Sequence, residues 1–179
     1  MAAPHTSRPA RLLAVAAMLD RDLATLRREV EAYPDEQDLW RPVPGLPNVA
    51  GTLALHLTGN LQHYIGTRLA GTGYVRDRPS EFTRRNVPRA ELLREIEAAR
   101  KAVAAAAESV SETELAADFP EPIAGSHVRT DEYLMHLVAH FAYHLGQLDY
   151  HRRVVTGTTI SVDAMRPTEL SSARPIRER

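Results

Sequence analysis

The chain contains no cysteine, which removes disulfides, thiolate metal ligands and a cysteine nucleophile together. Any metal must be held by His, Asp or Glu, and a thiol in the chemistry must arrive on a cosubstrate. Long apolar runs are also missing: no stretch approaches the roughly 20 residues that cross a bilayer, so no membrane partner is expected. The run "RLLAVAAML" has the look of a signal segment. Its Leu12, Ala16, Leu19, Leu23 and Leu26 spacing, however, continues past Asp20, Arg21 and Asp22 as one amphipathic helix, so a cytoplasmic protein is expected. Charge of one sign is equally scarce. With 22 basic and 23 acidic residues the formal charge is -1, which argues against a nucleic-acid partner.

What is present suits one domain: 179 residues, 44% hydrophobic and 25% charged. Four long helical patterns can be read, and no run alternates at period two. The first runs from about Ser7, a cap before Pro9, to Ala32, and Pro34 closes it. A short helical turn follows at "DEQDLW". The segment "RPVPGLPN" must be loop, with Asn48 placed to cap a second helix over about 49–69. Residues 71–87 read as an Arg-rich loop in which Arg76, Arg78, Arg84 and Arg85 are solvated or steer an anionic substrate. Pro88 opens a third, Ala-rich helix that ends near Val110. "SETELAADF" allows a turn of helix and "PEPIAGSHVR" a hairpin-like link. Thr130 is placed to cap the last helix, which carries Asp131 and Glu132 in its first turn and ends near Gly157. Trp40 and Phe82, in the connections, read as plugs of the core. The expected fold is all-α, a four-helix bundle over 1–156 with a long crossover connection, followed by an irregular C-terminal tail, extended or partly disordered, over 157–179.

The fourth helix carries "HLVAHFAYHLGQLDYH", with His136, His140, His144 and His151. His140 and His144 lie about 40° apart on one face, one turn above the other, so two imidazoles can grip one ion. An i, i+4 pair alone is a weak signal. The second helix adds "NVAGTLALHLTGNLQHYIGT", where Leu53, Leu57, Leu61 and Tyr64 form the apolar face and His56, Asn60, His63 and Thr67 a polar stripe at its edge. Such a stripe beside a core costs stability unless its groups find partners, and a metal between the helices would supply one. The zinc-protease pattern is missing, because "HFAYH" has no internal glutamate. His5 and His127, in a tail and a loop, suggest no role.

"HFAYHLGQ", preceded by the histidine of "LALHLTGNLQHYI" and by "RDRPSEF" in the intervening loop, resembles the DinB-like/YfiT-like superfamily of four-helix-bundle metalloproteins over about residues 8–155. The resemblance implies a divalent metal, nickel or zinc, held by one histidine of the second helix and two of the last: His56, His140 and His144. Where such proteins commonly have "HHRGQ", this chain reads Tyr143, His144, Leu145, Gly146, Gln147. Asn60 and Gln147, one turn from those positions, can orient the ligands or a bound water, or simply join helices. His63 sits at the site's edge and His136 and His151 beside the ligands or at an interface.

Two mechanisms fit an open three-histidine metal: hydrolysis by an activated water, and activation of a small thiol that attacks an electrophile. The superfamily includes S-transferases that use low-molecular-weight thiols, so the resemblance favours a thiol-dependent S-transferase on small electrophiles. A non-enzymatic metal-binding stress or scaffold protein stands beside these. A homodimer is also implied, and the small residues Ala139, Ala142 and Gly146 would permit close helix approach.

Overall fold

The computed structural model describes residues 8–176. Helix α1 spans Ala10–Glu31 and buries Leu12, Val15, Leu19, Leu23, Leu26 and Val30, a stripe at helical spacing. Pro9 takes the cap position, its carbonyl accepting from the Leu13 amide at 3.1 Å; the cap expected at Ser7 lies outside the described residues. The 3₁₀ turn Glu36–Trp40 follows, capped by Asp35. It drives Trp40 against the next helix so closely that a Cβ at Gly51 would lie 2.5 Å from the indole.

Helix α2 covers Ala50–Leu61, runs through a π-helical segment, Gln62–Thr67, and closes with Arg68–Ala70 before left-handed Gly71. Asn48 does not cap it. The helix begins one residue later than the sequence suggests, with Val49 at the cap and no side chain bonding the first amides. Residues 71–87 are not all loop: α3, Arg78–Thr83, is capped by Asp77, whose carboxylate accepts from the Ser80 amide at 3.2 Å. Helix α4 is Arg89–Ser109, entered through Pro88. The short α5, Glu112–Ala116, is held by a capping box in which the Ser111 and Glu114 side chains each bond the other's backbone amide.

The link to the last helix is hairpin-like as expected, with isolated bridges Asp118 to Arg129 and Ile123 to Ser126. Helix α6 is Thr130–Thr156, ending at left-handed Gly157. Its cap is Arg129, not Thr130. The Thr130 amide is taken by the Ala117 carbonyl at 2.9 Å, and the helix starts one residue earlier than a cap at Thr130 would allow. Beyond Gly157, residues up to 176 are irregular apart from two short turns and a 3₁₀ turn, Pro167–Glu169. Arg153 donates to the Thr159 carbonyl at 2.8 Å and Arg28 to that of Val162 at 3.0 Å.

The four long helices form an all-α bundle in which α1 and α2 each pack against both α4 and α6. The chain thus crosses the bundle between α1 and α2, and again between α4 and α6. Helix α3 lies on α2 from outside, and this cover leaves every residue of Ala50–Leu61 buried. His56 and Asn60 of the polar stripe are therefore interior, where each needs a partner, while His63 and Thr67 are half-buried.

Candidate metal centre

Helices α2 and α6 bring the histidines together. His56, His140 and His144 each offer a ring nitrogen, and these atoms all lie within 4.8 Å of one another. The His56 and His140 Nε2 atoms are 3.3 Å apart. Two imidazoles bound tetrahedrally at about 2.0–2.1 Å from one zinc have their nitrogens about 3.3–3.4 Å apart, so the spacing fits a shared ion.

Hydrogen bonds on the far side of two rings orient those nitrogens. His56 Nδ1 donates to Glu81 Oε2 at 3.0 Å. Arg76 also approaches Nδ1, at 3.4 Å, but both are donors when the carboxylate is served, so Glu81 sets the tautomer and leaves His56 Nε2 as a bare lone pair. His144 Nδ1 donates to Gln147 Oε1 at 2.8 Å, which fixes Nε2 as its free nitrogen in the same way. Burial, then the neighbouring His144 and His56, push His140 down to about 4. Burial also lowers His144, against the bond to Gln147. Both rings are neutral at physiological pH, the form in which imidazole binds a metal. Three imidazole donors converging from two helices fit a divalent ion with a coordination position to spare.

Glu81 has its own support. Arg76 grips it through Nε to Oε1 at 2.6 Å and Nη2 to Oε2 at 2.9 Å. Burial raises its pKa, yet the bonds from His56 and Arg76 hold the carboxyl below its ordinary value. Gly59 makes the approach possible, because a Cβ there would collide with Glu81 Oε1. Phe82, beside Glu81 on α3, is no core plug; it walls the site with its ring 5.0 Å from that of His56, and Arg78 lies 5.1 Å over the Phe82 ring. Arg76 is neither solvated nor open to a substrate, since Glu81 holds it and it lies 5.5 Å over the Tyr64 ring. Glu81 is the site residue that sequence reasoning missed, and Arg76, expected to be solvated or to steer a substrate, holds it instead. A signal existed: "DRPSE" places a capping Asp and a Pro where a helix starts, so Glu81 belonged on a helix facing the histidine stripe.

The other expected residues divide. Asn60 is buried, and its Oδ1 has no hydrogen-bond partner among the described residues. His63 donates through Nε2 to Glu121 at 3.0 Å while its buried Nδ1 has none. The π-helical segment begins between these two residues, and its wider turn changes the azimuth of His63 and Tyr64 relative to His56. His136 is exposed and stacks on His140, ring centroids 6.1 Å apart, but does not join the convergent nitrogens. His151 lies in the core away from the site, donating to the Arg41 carbonyl at 3.0 Å and accepting from the Tyr33 hydroxyl at 2.8 Å.

Among the described residues no helix is long and apolar enough to cross a membrane. The sequence model of the mycothiol-S-transferase family matches residues 14–157, a span that holds all three convergent histidines, Glu81 and Gln147. No curated protein and no solved structure gives a significant match. With most of its length matched and its histidines gathered in a helical bundle, the chain belongs to the mycothiol S-transferase family, which is DinB/YfiT-like.

Proposed function

We propose that this chain is a divalent-metal-dependent thiol S-transferase acting on small electrophiles, with His56, His140 and His144 holding nickel or zinc. The observation that carries the reading is the convergence of three imidazoles, two of them fixed by Glu81 and Gln147 with free nitrogens toward one point. A divalent ion, when bound, supplies the positive charge that favours the thiolate form of a thiol at neutral pH. The thiol is of low molecular weight, mycothiol by the family's name. The thiol's side of the site is assigned to Asn60 and His63, which follow His56 along the same stripe of α2 and whose Oδ1 and Nδ1 are buried without a hydrogen-bond partner among the described residues. In the transfer the thiol proton goes to solvent, the sulfur lone pair forms the new carbon–sulfur bond, and the leaving group departs with the electrons of the broken bond.

Hydrolysis finds less support, because the carboxylate beside the histidines is held by His56 and Arg76 and is not free to act as a base. A purely structural ion finds less support too, since structural zinc sites close with four protein ligands and three converge here. A cytoplasmic, homodimeric enzyme completes the proposal.

The test is metal analysis of protein purified without a histidine tag, followed by thiol consumption with a small electrophile. Bound metal lost in His140→Ala, together with metal-dependent thiol consumption in the parent protein, is the expected result. Stoichiometric metal with no thiol consumption would overturn it.

A further inference from the structure

The flank of the histidine cluster opposite Asn60 and His63 is chemically different. A groove of about 480 Å³ lies between the start of α2 and the middle of α6, lined by Leu46, Leu53, Tyr143, Gly146, Gln147 and Tyr150 with no charged side chain. It adjoins the site. Gln147 holds His144 through Nδ1, the Tyr143 ring meets the His144 ring edge to face at 5.2 Å, and Leu53 is one turn before His56 on α2. Tyr143 and Tyr150 are 66% and 70% exposed and Leu46 41%, an amount of open aromatic and aliphatic surface that invites a ligand. The volume falls in the range of small-molecule sites, about 300–1,000 Å³. A Cβ added at Gly146 would meet nothing within 4 Å, so the groove floor is open because that position has no side chain.

We propose that this groove is the electrophile site and that it selects neutral aromatic electrophiles, a proposal that rests on the transferase reading above. Its lining has no charge to offer an ionic ligand, and two tyrosine rings can sandwich or edge a planar one. With a haloaromatic such as 1-chloro-2,4-dinitrobenzene, sulfur adds to the ring carbon that bears chlorine, the carbon–chlorine bond breaks, and chloride leaves with the electron pair. The polar flank serves the thiol and the apolar flank the electrophile, with the histidines between them.

The experiment uses the whole chain and two variants, Gly146→Leu, which fills the groove while raising helix propensity, and Tyr150→Ser. Equilibrium dialysis of 2,4-dinitrotoluene, which does not react, reads the groove without turnover; steady-state kinetics compare 1-chloro-2,4-dinitrobenzene with the ringless iodoacetamide. In Gly146→Leu, dinitrotoluene binding and the ratio of kcat/KM for the aromatic to that for iodoacetamide both fall tenfold or more, and Tyr150→Ser lowers both less. Unchanged dinitrotoluene binding in Gly146→Leu overturns the proposal, as does a change in sedimentation mass without one in dinitrotoluene binding, which assigns the face to a second copy of the chain. Aromatic binding lost in Gly146→Leu from a protein that turns over no electrophile sinks the transferase reading and keeps the groove as an aromatic-ligand site.

Discussion

At the residue scale, the consequential contact is the one between His56 and a carboxylate 25 residues away in sequence. Partners of this kind orient a ligating histidine and raise its basicity, and their loss typically lowers metal affinity by about 10–100-fold. Glu81→Gln is expected to weaken metal binding by about that factor, read by competition with a chromophoric chelator. Gly59→Ala is expected to do the same without touching a ligand, since its methyl would occupy the space of the Glu81 carboxylate; full metal affinity in that variant would contradict the arrangement. His151 supports a different prediction. Burial depresses its pKa below the ordinary value of 6.5, so the unfolded chain takes up this proton more readily than the folded one. The stability it supports is present above pH 6.5 and is lost as pH falls below that value. Denaturant unfolding at pH 7.5 and 5.5 is expected to show a smaller acid loss in His151→Gln than in the parent. The sequence suggested His151 beside the ligands or at an interface, and it lies in the core instead, where Tyr33 and the Arg41 carbonyl offer it two bonds.

At the scale of the element, the helices were legible where apolar spacing or punctuation is strong: the stripe of α1, Pro88 before α4, and the glycines closing α2 and α6. Departures cluster at starts and irregular turns. Asn48 and Thr130 are good capping residues one position from where the cap falls, and the position of a start depends on tertiary bonds such as that from the Thr130 amide to Ala117. The π-helical segment was invisible because a single wide turn shifts the apolar face without erasing its period. Helix α3 is too short to have a period, yet it brings Glu81 to His56. Its cap is therefore functional. Asp77→Ala is expected to cost about 0.5–2 kcal/mol of local helix stability and to lower metal affinity through Glu81, with hydrogen exchange over residues 78–83 as the readout for the first effect.

At the scale of the whole molecule, the convergence ties α2 to α6, so an ion bound there links two sides of the bundle. Because the ion binds the folded chain, metal at 100 times its Kd is expected to add about 2.7 kcal/mol of stability. For a domain of this size that raises Tm by roughly 5–11 °C. The rise should vanish in His140→Ala, and its persistence there would place the ion elsewhere. The amino-acid order alone determined the helical class, the approximate helix limits and the pairing of His140 with His144, because these follow from periodicity and from residues close in the chain. It also ruled out thiol chemistry from the protein's own side chains. Only the packing of the helices decided that His56 and Asn60 are interior, that Glu81 and Arg76 stand behind His56, and that an apolar groove opens beside His144. Those relations join residues far apart in sequence, and no local pattern records which distant segment covers which face.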